Sequence, residues 1–167
     1  MMGNDDGWLL QLSEMLDGSK KVNLVGIGNP IKQDDAVGLR VVSELLRILG
    51  PSPGPTIQIH QPSMSPERVL SALASKGERI VIFDAVEAGR KAGAIICASL
   101  NDTKFGFFAT HNIPLRLIPG LAERTSDTFV VGIQSGLVDV GESLSDPVES
   151  SSKRLIAAVA GIARKAK

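Results

Sequence analysis

The stretch "GIGNPIKQDDAVGLRVV", residues 26–42, decides how this chain folds, because it changes its hydrophobic period within a few residues. The run leading into it, Val22 to Ile27, is apolar and rich in β-branched residues, with Lys20-Lys21 before it and Gly28-Asn29-Pro30 after it. That pattern predicts a fully buried strand. Downstream, Val37, Val41, Leu45 and Leu49 recur every fourth residue with Val42 and Leu46 alongside, while Arg40, Ser43, Glu44 and Arg47 fall off the stripe. That is an amphipathic helix. Asp34 and Asp35 therefore stand at a strand-to-helix junction. An acid there can cap the helix or favour its dipole. It can also be a ligand, since open α/β sheets place their sites on loops at strand ends. Both uses are open at this point.

The 167 residues suffice for one domain with a substantial core. Eighteen basic residues balance eighteen acidic ones, which leaves no global positive field for nucleic acid, and five Phe with one Trp offer little for base stacking. No apolar run is long enough to span a bilayer, and the acidic start "MMGNDDGW" is unlike a secretory signal. The single cysteine, Cys97, excludes an internal disulfide framework and fits a reducing cytoplasm, the expected location. It lies in the strand-like run "AIICASL" and reads as a buried small hydrophobe.

Along the chain, Trp8, Leu9, Leu12, Met15 and Leu16 predict a short N-terminal helix, an extension within residues 1–20. "TIQIH" (56–60) reads as a second strand and "RIVIFDAV" (79–86) as a third, central one. Between them "SPERVLSALASK" (65–76) is a helix with Ser65 at its N-cap and Pro66 at its first position. "AIICASL" (94–100) follows a link too short for a crossover helix, so it should run antiparallel to the third strand. "TFVVGIQ" (128–134) is the fifth strand, and a final helix opens with Asp146 as cap, Pro147, and Glu149 completing a capping box. Strands alternating with helices predict a single three-layer α/β domain over residues 1–167. Its five-stranded twisted sheet is mostly parallel, with one antiparallel strand and helices on both faces.

Familiar chemical motifs are absent. Gly26-Ile27-Gly28 opens like a dinucleotide fingerprint, but the third glycine is missing and Asn29-Pro30 occupies the helix start. Ser135 lies in "GIQSG", which is not a nucleophile elbow. What remains is dispersed: Asp34 and Asp35 after the first strand, Asp84 at the end of the third, and His111 in "FFATHNIPLRLI". Two carboxylates and an imidazole on one rim can bind a borderline divalent metal while leaving coordination positions open.

"VGIGNPIKQDDAVGLRV", "IVIFDAVEAGRKAG", "THNIPLRLI" and "FVVGIQ", in that order, resemble the hydrogenase maturation endopeptidases, with "THNIPL" similar to the formate-hydrogenlyase (hydrogenase 3) branch. These enzymes trim the C-terminal extension of the large subunit of nickel–iron hydrogenases. The resemblance implies a five-stranded sheet flanked by helices, and an endopeptidase in which Asp35, Asp84 and His111 engage the metal. Nickel would be supplied by the substrate precursor, and other divalent ions such as zinc could occupy the site. Asp34 is then the better candidate for the helix cap. The implied partner is the large-subunit precursor, with no nucleic acid and no membrane insertion, and a monomer when free. The chain departs from the family after the second strand, where "HQPSMSPE" replaces a D-G-G turn; His60 there reads as a strand-end residue. Two rival expectations are a non-catalytic metal-dependent docking module and a nucleotide-binding α/β protein.

Overall fold

A computed structural model of the chain describes residues 7–63, 65–102 and 118–165. The buried apolar run after Lys21 forms β1 (Val22–Gly26), and the amphipathic stripe forms α2 (Val37–Leu49). Ahead of them lies α1 (Gly7–Met15). After them come β2 (Ile57–Ile59), α3 (Pro66–Ala74), β3 (Arg79–Val86), β4 (Ile95–Ser99), β5 (Thr128–Gln134) and α4 (Asp146–Lys165). The sheet order is β2-β1-β3-β5-β4, parallel throughout except for β4. This is the single, mostly parallel α/β domain that the alternating pattern predicts.

The alternating side chains of the central strands supply two cores. Val22, Leu24, Val81, Phe83 and Ala85 face α1, α2 and α4, whereas Val25, Ile27, Ile80, Ile82 and Val86 face α3. The N-terminal helix is part of the first core, with Trp8, Leu12 and Met15 buried and the Trp8 ring beneath the Arg154 guanidinium. Cys97 packs under this helix, its Sγ 3.7 Å from Trp8 O, and burial pushes its thiol up to about 12. It is a packing residue and not a thiolate nucleophile at neutral pH.

β4 runs antiparallel to β3 in direction, as the short link requires, but it pairs with β5 on the sheet edge and makes no hairpin with β3. The link thus crosses the end of β5. Gln134 makes the crossing possible: its Oε1 accepts N–H bonds from Ala88 (2.8 Å) and Arg90 (3.2 Å). Its Nε2 donates to Glu87 Oε1 at 3.0 Å and to Ser135 O at 3.1 Å.

Helix starts differ slightly from expectation. Ser65 stands at the α3 N-cap without making a side-chain cap bond. α4 already includes Asp146, and Glu149 N–H donates to Ser145 O, so Ser145 sits at the cap. Its hydroxyl bonds to Asp34 instead.

Candidate functional site

The chain reverses its winding between β1 and β3, since β1 leads outward to β2 while β3 leads toward β5. A crevice at such a switch point is where doubly wound sheets bind ligands. β1 pairs with β3 only as far as Gly26 opposite Phe83, whereas on its other side β3 stays paired with β5 through Val86. Asp84, 2% exposed, is therefore the first β3 residue beyond the end of its neighbour β1. It sits on the carboxyl rim.

Asp35 arrives at the same place from the other side. Gln33–Ala36 form a 3-10 turn that packs on β3 and runs directly into α2. Gly38 lets the helix settle there, because a Cβ at this position would collide with the carbonyls of both Phe83 and Ile27. Gly28 does the same for the loop, where a Cβ would strike Asp35 O. The acceptor Asp35 O takes the Asn29 N–H at 3.1 Å, and Ile27 N–H donates to Phe83 O at 2.9 Å. These bonds engage the Ile27 and Asn29 amides within the protein. Asp35 is 6% exposed, so the two elements that border the β1/β3 switch point each carry a buried acidic residue. His111, the third expected member, lies outside the described residues.

Asp34 corrects an expectation. It caps no helix: neither the 3-10 turn nor α2 has a side-chain cap bond. Its carboxylate, 0% exposed, turns toward the loop after β5. There it accepts N–H bonds from Gly136 (2.8 Å) and Leu137 (2.7 Å) on Oδ2 and from Ser145 (2.7 Å) on Oδ1. The Ser145 hydroxyl donates to Oδ2 at 2.8 Å. Backbone bonds reinforce the tie: Gln33 N–H to Gly141 O at 2.8 Å, Asp34 N–H to Leu137 O at 3.1 Å, and Gly141 N–H to Ile31 O at 3.0 Å. Arg40 adds a bond from its guanidinium to Glu142 O. Gln33 holds φ at 39°, a conformation rare for a residue with a side chain, stabilised within these contacts. Beside the tie lies an open cleft of about 450 Å³ lined by Pro30, Leu39, Arg40, Pro62 and Ser63 among others, so the variant loop after β2 forms one of its walls.

His60 belongs to a different cluster. Its Nε2 lies 2.8 Å from Asn23 Oδ1, and Asn23 Nδ2 donates to Glu78 Oε2 at 2.9 Å. The Asn23 amide orientation makes Nε2–H the donor. As Asn23 is the second residue of β1, this ring points back from the carboxyl rim, as a strand-end role requires. Burial first, and the Lys76 charge second, hold the imidazole below its ordinary 6.5. The native state thus prefers the neutral ring, and the unfolded chain takes up the proton first. The His60 contribution is complete above about pH 6.5 and declines as pH falls toward the lower folded value. His60→Gln should flatten the decline in urea midpoint between pH 7.5 and 5.5. An unchanged pH slope would place its cause at other groups.

Sequence reasoning missed Ser145 and the whole 135–145 loop, whose tie to Asp34 no local pattern announces. Gln134 stood in a quoted motif without an assigned task.

No family model matches the chain. A Methanocaldococcus jannaschii protein named "Putative hydrogenase maturation protease" is 26% identical over 152 residues, covering 87% of this chain and 89% of its own. The crystal structure of the nickel–iron hydrogenase maturation protease HycI from Thermococcus kodakarensis superposes with a TM-score of 0.75 at 26% identity, covering 92% and 99% of the two chains. The solution structure of the endopeptidase HycI from Escherichia coli gives 0.65 at 21% identity over 82% and 87%, a likeness of fold. In sequence and in fold, then, the chain is similar to the hydrogenase maturation proteases, the class that its motifs resemble.

Proposed function

We propose that the chain is an endopeptidase that removes the C-terminal extension of a nickel-loaded hydrogenase large-subunit precursor, with Asp35, Asp84 and His111 engaging the metal. The observation that carries this reading is the pair of buried carboxylates, Asp35 and Asp84, at the β1/β3 switch point. Carboxylate oxygens with an imidazole suit a borderline divalent ion. When bound there, the ion supplies polarisation of the scissile carbonyl or a lowered pKa of a bound water. The chain's own task is to hold these donors in place, and the close approach of Gly28 to the Asp35 backbone and of Gly38 to the Phe83 backbone supports this for the two acids. The Asp34 oxygens are occupied by four donors from the loop after β5, so its task is to hold that loop.

Nickel arrives with the precursor, and zinc can stand in its place in binding assays. The enzyme works as a cytoplasmic monomer on a hydrogenase-3-type precursor. The test is incubation with full-length precursor, nickel-loaded or nickel-free, followed by mass spectrometry of the large subunit. The loaded form should lose its tail, while the nickel-free form and casein stay intact. Binding without loss of the tail would make the chain a docking module instead, and cleavage of the isolated tail peptide without nickel would make it an ordinary peptidase.

A further inference from the structure

We infer that Ile31, Leu137, Val138 and Val140 form the docking surface for the polypeptide substrate, an inference that rests on the peptidase reading above. These side chains are 57%, 48%, 51% and 83% exposed. Among the described residues the other exposed large apolar side chains are Leu9, Leu10 and Ile48, all on helices, and only Leu10 is as exposed as the four. The four rim residues instead come from two loops, one leaving β1 and one leaving β5, at the carboxyl end of the sheet where Asp35 and Asp84 lie. Exposed apolar side chains gathered on two loops that are bonded to each other suit an interaction site.

The rim is built to stay in place. Gly141 N–H to Ile31 O and Asp34 N–H to Leu137 O join the loops, and the Asp34 carboxylate holds the Gly136 and Leu137 amides. A partner that lands here orders little backbone on arrival, which favours affinity.

Position selects the occupant. Ile31 is four residues from Asp35, and Asp34 itself anchors the second loop, so a chain whose scissile bond reaches Asp35 and Asp84 is carried across this rim. A second copy seated on the rim would cover the site it serves. The flanking exposed charges, Lys32, Asp139 and Glu142, are mixed, unlike the basic flank that draws a helix or loop to anionic lipid. The surface therefore fits a folded polypeptide with an apolar patch beside the bond to be cut.

The test measures binding of immobilised full-length precursor by the wild type, by the double variant Val138→Asp/Val140→Asp, by Val140→Thr and by Leu10→Asp as a control on α1. The double variant should raise Kd at least about tenfold, as loss of central interface contacts does. In the cleavage assay KM should rise with kcat within about twofold, and divalent-ion affinity should stay unchanged. Val140→Thr, at a side chain mostly in solvent, should shift Kd in the same direction with the thermal melt intact. Equal Kd for wild type and double variant overturns the inference, as does a wild-type dimer in sedimentation that the double variant dissociates. A wild type that binds without cutting removes the peptidase reading alone, and the double variant's Kd still decides the docking surface. One that neither binds nor cuts removes both.

Discussion

Asp84→Asn is expected to lower processing of the nickel-loaded precursor by more than about a hundredfold, and Asp35→Asn by a similar factor, with the fold retained. Replacing even the groups behind a metal ligand costs about 10–100-fold, so loss of a contacting oxygen should exceed that. Asn preserves the volume of each buried side chain while removing the charge and half of the acceptor capacity. Calorimetric titration with Zn²⁺ or Ni²⁺ should show weakened binding in both variants, and His111→Ala should match them. Wild-type cleavage by Asp35→Asn and Asp84→Asn together would show that the switch-point carboxylates are not the site.

The second large effect belongs to Asp34, and it is one of stability. A helix cap would be worth about 1 kcal/mol. The structure gives this carboxylate four donors and no exposure, so Asp34→Ala leaves three amides and a hydroxyl without their acceptor. Each unsatisfied buried group costs about 1–3 kcal/mol, and water entering the part-buried sites recovers some of it. The net loss should be about 3–5 kcal/mol, a large share of the stability of an ordinary domain. Urea unfolding measures it, and a loss near 1 kcal/mol would return Asp34 to the role of a cap. Asp34→Asn should also destabilise, because its amide group would meet amide donors.

These two aspartates show what was legible beforehand. Strand and helix periods placed Asp84 at the end of β3 and Asp35 just after β1, and these two strands are neighbours in the sheet. All five strands were legible for the same reason, as each is a short apolar run between turn residues. The partners of Asp34 lie 102 to 111 residues away in an irregular loop, and no local pattern encodes them. The edge position of β4 was hidden in the same way. Link length dictates its direction, but its seat beyond β5 depends on Gln134 reaching Ala88 and Arg90 across 46 and 44 residues. Ser65 and Asp146 read well as caps by residue type, yet the chain begins those helices with other bonds.

The Asp34 tie also orders events in time. Its donors end at Ser145, 111 residues further along the chain, so closing it requires a long loop to be brought together. During synthesis β1, α2, β2 and β3 are complete long before Ser145 is made. The early sheet can therefore assemble with Asp34 still in water and the rim unformed. The Ser145 amide and hydroxyl, at the start of α4, are the last of the four donors to be made. The nascent chain thus holds β1, α2, β2 and β3 before the last donors to Asp34 exist. A chain cut before Ser145 would lack two of the four donors to Asp34 and all of α4, whose Val148, Leu155 and Val159 belong to the first core.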